Sequence, residues 1–352
     1  MAPRGWADTL VKAVASSDVA LQALSLLGFS ELESGPGFRG ALSFACRGGV
    51  CRFYPELCPH FLLAGAYVLG IFKRLITLTA VSRPTRRVGA EAFGIVWDRA
   101  LWLLPYGLYE NVVYSAELNA PENRLLKFVL NAAERCCRGQ RLCGELRTAL
   151  HHTWLAAVRL ERDEVTIGEA VARLPHLRPE YRHLFKLVGT ADVGATGVEY
   201  LYRLAEIYVF ALVAEAVGAM DVEVERLSKL KASGGGLSVH YQLDLSRCGK
   251  SPACDFADVA VSNEKGAITH IIEVKASDYP DYIKEGARQA SYYAKICDVL
   301  PVLAYIAPRP VHICDDNVVA IRLTLDKKSD FENITKVLQP LQKPSQNTKE
   351  WA

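Results

Sequence analysis

Apolar residues change their spacing once along this chain. From about residue 118 to 230 they recur at three- and four-residue intervals. Leu125, Leu126, Val129, Leu130 and Ala133 form one helical stripe. Asn119 is the expected N-cap of that helix and Pro121 suits its first turn. A second helix is expected over about 196–217, with Leu201, Leu204, Ala205, Tyr208 and Leu212 on one side. Ser233-Gly-Gly-Gly236 reads as the clearest break. Beyond it the period falls to two, and strands are expected at about 238–245, 256–261, 267–275, 300–306 and 318–325. Turn residues fill Asn263–Gly266, and a helix is expected over 281–297. Counting the helix before the glycines, the order is α-β-β-β-α-β. Residues 1–115 show apolar helical stretches and the basic run 83–87 without a clear architecture. The apolar run Phe61–Phe72, ended by Lys73 and Arg74, is too short to span a bilayer and reads as a buried helix. Residues 343–352 are polar and expected to be loose.

Composition sets the bounds. Half of the 352 residues are hydrophobic and 23% are charged, which provides for a sizeable core. The expected division is an N-terminal region of unclear fold at 1–117, a helical accessory domain at 118–195, an α/β domain at 196–330 and a tail at 331–352. Net charge is only +2, so a nucleic-acid surface would have to be local. The first residues, MAPRGWADTL, are not followed by an apolar leader, and a soluble cytoplasmic protein is expected. The ten cysteines form no CxxC and have no zinc-ribbon spacing. They are expected to be scattered, buried small hydrophobes. Disulfides, and an iron–sulfur or zinc site joining distant cysteines, stay open.

The chemistry concentrates in Ile271-Ile-Glu-Val-Lys-Ala276. On a strand Glu273 and Lys275 project from one face while Val274 points the other way. Asp258 lies on the preceding strand, and the turn at Asn263–Gly266 can fold it alongside. Phosphodiester hydrolysis needs a hard cation to polarise the phosphate and acidify a water. Asp258 and Glu273 would offer carboxylate oxygens to Mg²⁺ or Mn²⁺, with the Val274 carbonyl as a further oxygen. Lys275 would orient the attacking water or meet developing negative charge.

The block Asp255–Tyr293 resembles the core of the PD-(D/E)xK nuclease superfamily. The resemblance implies a restriction-endonuclease-like αβββαβ core around a mixed sheet, preceded by a mainly helical region. Gln289 and Tyr293 match the QxxxY helix motif of RecB-type members, which contacts the nucleic-acid strand. The first acidic motif departs from the family's Pro-Asp: Asp255 and Asp258 compete, and Asp258 is favoured because Val259 and Val261 follow it as a strand core requires.

A second resemblance covers roughly residues 110–310. Leu118-Asn-Ala-Pro-Glu-Asn-Arg-Leu-Leu-Lys-Phe-Val-Leu130, Arg178-Pro-Glu-Tyr-Arg182 and Leu201-Tyr-Arg-Leu-Ala-Glu206-Ile-Tyr-Val-Phe210 are similar, in that order, to segments of McrC-type restriction subunits. By that match Glu206 is a further carboxylate of the site. The resemblance implies a Mg²⁺-dependent DNA endonuclease working with a McrB-type AAA+ GTPase or ATPase motor. The chain has no GxxxxGK[ST] and is not that motor itself. The alternatives are a RecB-like exonuclease of repair or CRISPR systems with an iron–sulfur cluster, and a non-catalytic nucleic-acid-binding or assembly protein with a nuclease-like fold.

Overall fold

The structure is a computed structural model that describes residues 6–30, 38, 40–43, 45–47, 49–76, 82–91, 101–116, 118–160, 164–171, 177, 179–188, 199–226, 229–248, 255–313 and 317–339. Its first part is mainly helical. The longer helices are α1 (Ala7–Ala15), α2 (Asp18–Ser30), α3 (Cys58–Ile76), α4 (Pro121–Cys136), α5 (Arg141–Leu150) and α6 (Pro179–Val188). Strands β1 (Cys46–Arg47), β2 (Val50–Arg52) and β5 (Glu164–Thr166) make a small sheet, and β3 (Ser82–Gly89) pairs with β4 (Tyr109–Ala116) as a two-stranded ribbon. Helices α2 and α3 cross backbone against backbone. A Cβ on Gly28 would lie 1.9 Å from the Tyr67 carbonyl oxygen, and one on Gly70 1.9 Å from that of Ser25, so only glycine fits at the crossing. Helix α3, with its preceding turn, is long and apolar enough to cross a membrane, yet 67% of its apolar window is buried in the protein.

One expectation about this part changes. Asn119 is not the cap of α4. Ala120 holds that position with an extended backbone, and the Asn119 side chain instead accepts the Arg159 N–H at 2.9 Å. The two polar motifs upstream of residue 190 also meet: the Tyr181 hydroxyl donates to Asn123 Oδ1, and both residues are buried. Arg74 pairs with the buried Glu180 at 3.1 Å. These side chains join α3, α4 and α6.

The second part carries a seven-stranded mixed sheet. Helix α7 (Glu199–Val217) leads into β6 (Asp221–Arg226), β7 (Lys229–Gly234), β8 (Leu237–Asp244), β9 (Phe256–Asn263) and β10 (Ile268–Ala276), an antiparallel meander. Helix α8 (Pro280–Cys297) then crosses over to β11 (Leu300–Ile306), which runs parallel to β10, and β12 (Val319–Arg322) adds a second parallel pair. The chain ends, within the described residues, in α9 (Lys327–Leu338), capped by Asp326 accepting the Ser329 N–H at 3.0 Å. The sequence reading missed β6, β7 and α9. The run Ser233–Gly236 is therefore no break between two regimes. Gly235 and Gly236, at φ 59° and 77°, make the turn of the β7–β8 hairpin, for which glycine is suited.

Side chains alternate across this sheet. Val259, Val261, Ile272 and Val274 face α7 and join the main core, while Ala260 and Ile271 face α8 and pack with Tyr293. That main core runs without interruption from Trp6 to Leu338, so the expected segments share one hydrophobic interior. Trp6 Nε1 donates to Asp278 at 2.9 Å and Ser17 Oγ to Glu215 at 2.9 Å, tying the first helices to the sheet region.

Candidate active site

The ladder between β9 and β10 is registered as far as Val259 and Ile272. Just past that pair Asp258 takes over: its Oδ2 accepts the Val274 N–H at 2.9 Å. Strand alternation puts Asp258, two residues before Ala260, on the α8 side of the sheet. Glu273 and Lys275, two and four residues after Ile271, share that side. Lys275 Nζ is hydrogen-bonded to Glu273 Oε1. Helix α8 lies directly on the lysine stem, since a Cβ on Gly286 would come 2.4 Å from Lys275 Cγ.

Glu206 reaches the group from α7, on the other face. Its Oε2 accepts the Tyr241 hydroxyl at 3.0 Å and the Gln242 amide at 2.9 Å. The same Gln242 Nε2 lies 3.3 Å from Asp258 Oδ1 and so links two carboxylates. Gln242 does this from within β8 at φ 57°, a left-handed conformation that costs a non-glycine residue on the order of 1–3 kcal/mol. Asp255 immediately precedes β9, and its carbonyl accepts the Leu245 N–H at 3.0 Å. What Val274 contributes to these contacts is its N–H. Gln289 donates to the Tyr293 hydroxyl at 2.7 Å, one turn along α8, and the Tyr293 ring packs beside Ile271.

Three buried carboxyl groups meet here with the Lys275 ammonium, and the Arg203 charge acts on Glu206 from the same helix. Burial, and then the charge of Asp258, push the Glu273 carboxyl up to about 8. Burial and Asp258 likewise push Glu206 up to about 8. Asp258 is raised by burial, against the pull of Lys275 and its hydrogen bonds. Lys275 is raised: burial opposes its charge, but Glu273 and Asp258 outweigh that. Glu273 Oε2 is buried without an N–H or hydroxyl donor, while the Glu273 side chain is also hydrogen-bonded to Asp258. Among the described residues, no three His, Cys, Asp or Glu side chains are arranged to hold a metal ion. Mg²⁺, however, is commonly held by one or two carboxylates with waters and substrate oxygens, and Asp258 with Glu273 fits that donor set.

No family model matches the chain, and no curated protein matches it. Among solved structures, a chain from an assembly of Thermococcus gammatolerans McrB AAA+ hexamers with bound McrC is similar at a TM-score of 0.32 and 11% identity. That likeness covers 80% of this chain and 68% of the other. At this level it fixes neither fold nor function.

Two residues of the site were not found from the sequence. Gln242 sits in an alternating strand where its side chain reads as solvent-facing, and the positive φ that turns it toward Glu206 leaves no sequence mark. Gly286 has no side chain to mark it in the sequence, and the structure makes it the space that Lys275 occupies. The cysteines also differ from the expectation of scattered hydrophobes. All eight that are described form disulfides: Cys46–Cys51, Cys58–Cys136, Cys137–Cys143 and Cys248–Cys297. The geometry that pairs them is three-dimensional and invisible in their spacing. Cys254 and Cys314 lie outside the described residues. A paired cysteine offers no thiolate to an iron–sulfur cluster, so none of these eight serves one in this state.

Proposed function

We propose that this chain is a metal-dependent deoxyribonuclease with a restriction-endonuclease-like core. One observation carries the reading: Asp258, Glu273 and Lys275 share one sheet face where the β9–β10 ladder ends, and Gln242 connects Asp258 to Glu206. A bound Mg²⁺ or Mn²⁺ would polarise a phosphate and acidify a water there. Asp258 and Glu273 are the residues to hold the ion. The Val274 N–H fixes the Asp258 carboxylate, which leaves its other oxygen directed into the group. Lys275 is held beside Glu273 and is placed to offer its ammonium to a phosphate oxygen or an attacking water. Glu206 and Gln242 set the position of Asp258 from behind.

The order of motifs shared with McrC-type subunits supports a defence role beside a McrB-type AAA+ motor, with DNA as substrate. The closed Lys275–Glu273 pair favours a second reading, in which the isolated chain is latent or non-catalytic. Mn²⁺ binding followed by electron paramagnetic resonance, with cleavage of labelled DNA on the same samples, separates them. Asp258→Asn and Glu273→Gln each lose bound Mn²⁺ and cleavage if the first reading holds. Mn²⁺ binding that neither substitution weakens contradicts it. Cleavage that appears only on adding an AAA+ partner identifies the latent form.

A further inference from the structure

Aromatic rings lie beside the carboxylate group. Tyr282, on the first turn of α8, is 43% exposed, and Lys275 Nζ lies 5.6 Å from its ring centroid. Tyr202 stands one helical turn before Glu206 on α7. Its ring centroid is 6.1 Å from that of Tyr282, with the planes 37° apart. Tyr279, at the cap of α8, is 69% exposed. Two helices thus bring their rings together next to the site: Tyr282 from α8 against Lys275, and Tyr202, four residues before Glu206 on α7, against Tyr282.

An exposed ring next to a lysine and a carboxylate pair meets both needs of an unpaired nucleotide. The base finds a flat face to stack on, and its phosphate finds the ammonium. Bases inside a duplex are already stacked on one another and offer no free face. We infer that Tyr282, backed by Tyr202, is a stacking platform for an unpaired base next to the phosphate handled by Asp258, Glu273 and Lys275. The strand that enters the site is then single-stranded: a flap, a frayed end or an unwound segment. This inference rests on the nuclease reading and narrows its substrate.

The test uses the full chain in EDTA and fluorescence anisotropy with labelled oligo(dT), the same oligonucleotide carrying abasic residues, and a duplex of equal length. The wild type binds oligo(dT) roughly tenfold tighter than the abasic probe, the scale of one base–aromatic stack. Tyr282→Ala removes that ratio, while Tyr282→Phe and Tyr282→Trp keep it, because the ring and not the hydroxyl does the stacking. An unchanged ratio in Tyr282→Ala, a loss in Tyr282→Phe equal to that in Tyr282→Ala, or tighter wild-type binding of the duplex overturns the platform. Mg²⁺-dependent cleavage of the same probes tells the two failures apart. Equal cleavage of duplex and oligo(dT), whatever stands at position 282, overturns the platform alone. No binding and no cleavage of any probe, with or without an AAA+ partner, removes the nuclease reading with it.

Discussion

Lys275 is held between Glu273, Gly286 and the Tyr282 ring on the outer, α8 side of β10 and belongs to none of the hydrophobic clusters. Lys275→Ala is therefore expected to lower metal-dependent cleavage by roughly 10²-fold or more and to leave the circular dichroism spectrum and melting temperature close to wild type. A loss of stability comparable to a core truncation would mark the lysine as structural. Gln242 allows a sharper separation. Gln242→Gly removes the amide that bridges Glu206 and Asp258 while relieving the left-handed backbone, so stability should hold within about 1 kcal/mol as cleavage falls. The carboxylates also fix a sign with pH. Glu206 and Glu273 shift from an ordinary value of 4.5 to about 8 in the folded, metal-free protein. The folded state then binds more protons than the unfolded one between those values. Its extra stability is fully present below about pH 4.5 and is lost as the pH rises through about 8. Thermal midpoints in EDTA should thus fall across that window, and Glu273→Gln, which cannot ionise, should flatten the slope. A midpoint that rises over the same window would contradict burial as the dominant cause. At this scale the sequence exposed Asp258, Glu273 and Lys275 because a two-residue spacing on a strand fixes the face. It hid Gln242, since a single φ decides that side chain's direction.

Elements were legible where their periodicity was strong. The expected strands at 238–245, 256–261, 267–275 and 300–306 correspond to β8, β9, β10 and β11, and the helices at 196–217 and 281–297 to α7 and α8. Strands β6, at the edge of the sheet, and β7, next to it, are hard to read because Asp221-Val-Glu-Val-Glu-Arg226 and Lys229-Leu-Lys-Ala-Ser-Gly234 hold only two apolar residues each. The sequence from 331 on reads as tail, yet helix α9 carries a buried carboxyl group with four hydrogen bonds. Asp330 accepts the Thr324 and Leu325 N–H groups and the hydroxyls of Thr324 and Tyr208, at 2.8–3.0 Å. Asp330→Ala strands those donors and is expected to cost about 3 kcal/mol or more in urea unfolding. A change below about 1 kcal/mol would mean that α9 is not a cooperative part of the sheet region. The Cys248–Cys297 bond ties the exit of β8 to the last turn of α8, across a sequence separation of 49. A loop of that size corresponds to about 4 kcal/mol in the chain-entropy model. Cys248→Ser should lower unfolding free energy by roughly 2–4 kcal/mol under oxidising conditions. Equal stability of wild type and variant would show that the bond does not form in solution.

The whole molecule joins a mainly helical first part to a seven-stranded mixed sheet through one continuous core. No composition argument anticipates that continuity, because the apolar faces that meet are far apart in sequence. Four disulfides suit an oxidising compartment or the cytosol of a hyperthermophile, and we propose one of these settings for the chain. The central claim is that the sheet face bearing Asp258, Glu273 and Lys275 hydrolyses DNA with a divalent ion. It is tested most directly by cleavage of end-labelled DNA by the purified full chain, with and without an AAA+ partner, in Mg²⁺, Mn²⁺ and EDTA. Wild-type and Asp255→Asn proteins should cut in either metal and not in EDTA, while Asp258→Asn and Lys275→Ala should not cut at all. Cleavage that survives in folded Asp258→Asn and Lys275→Ala proteins, or that persists in EDTA, would contradict the assignment.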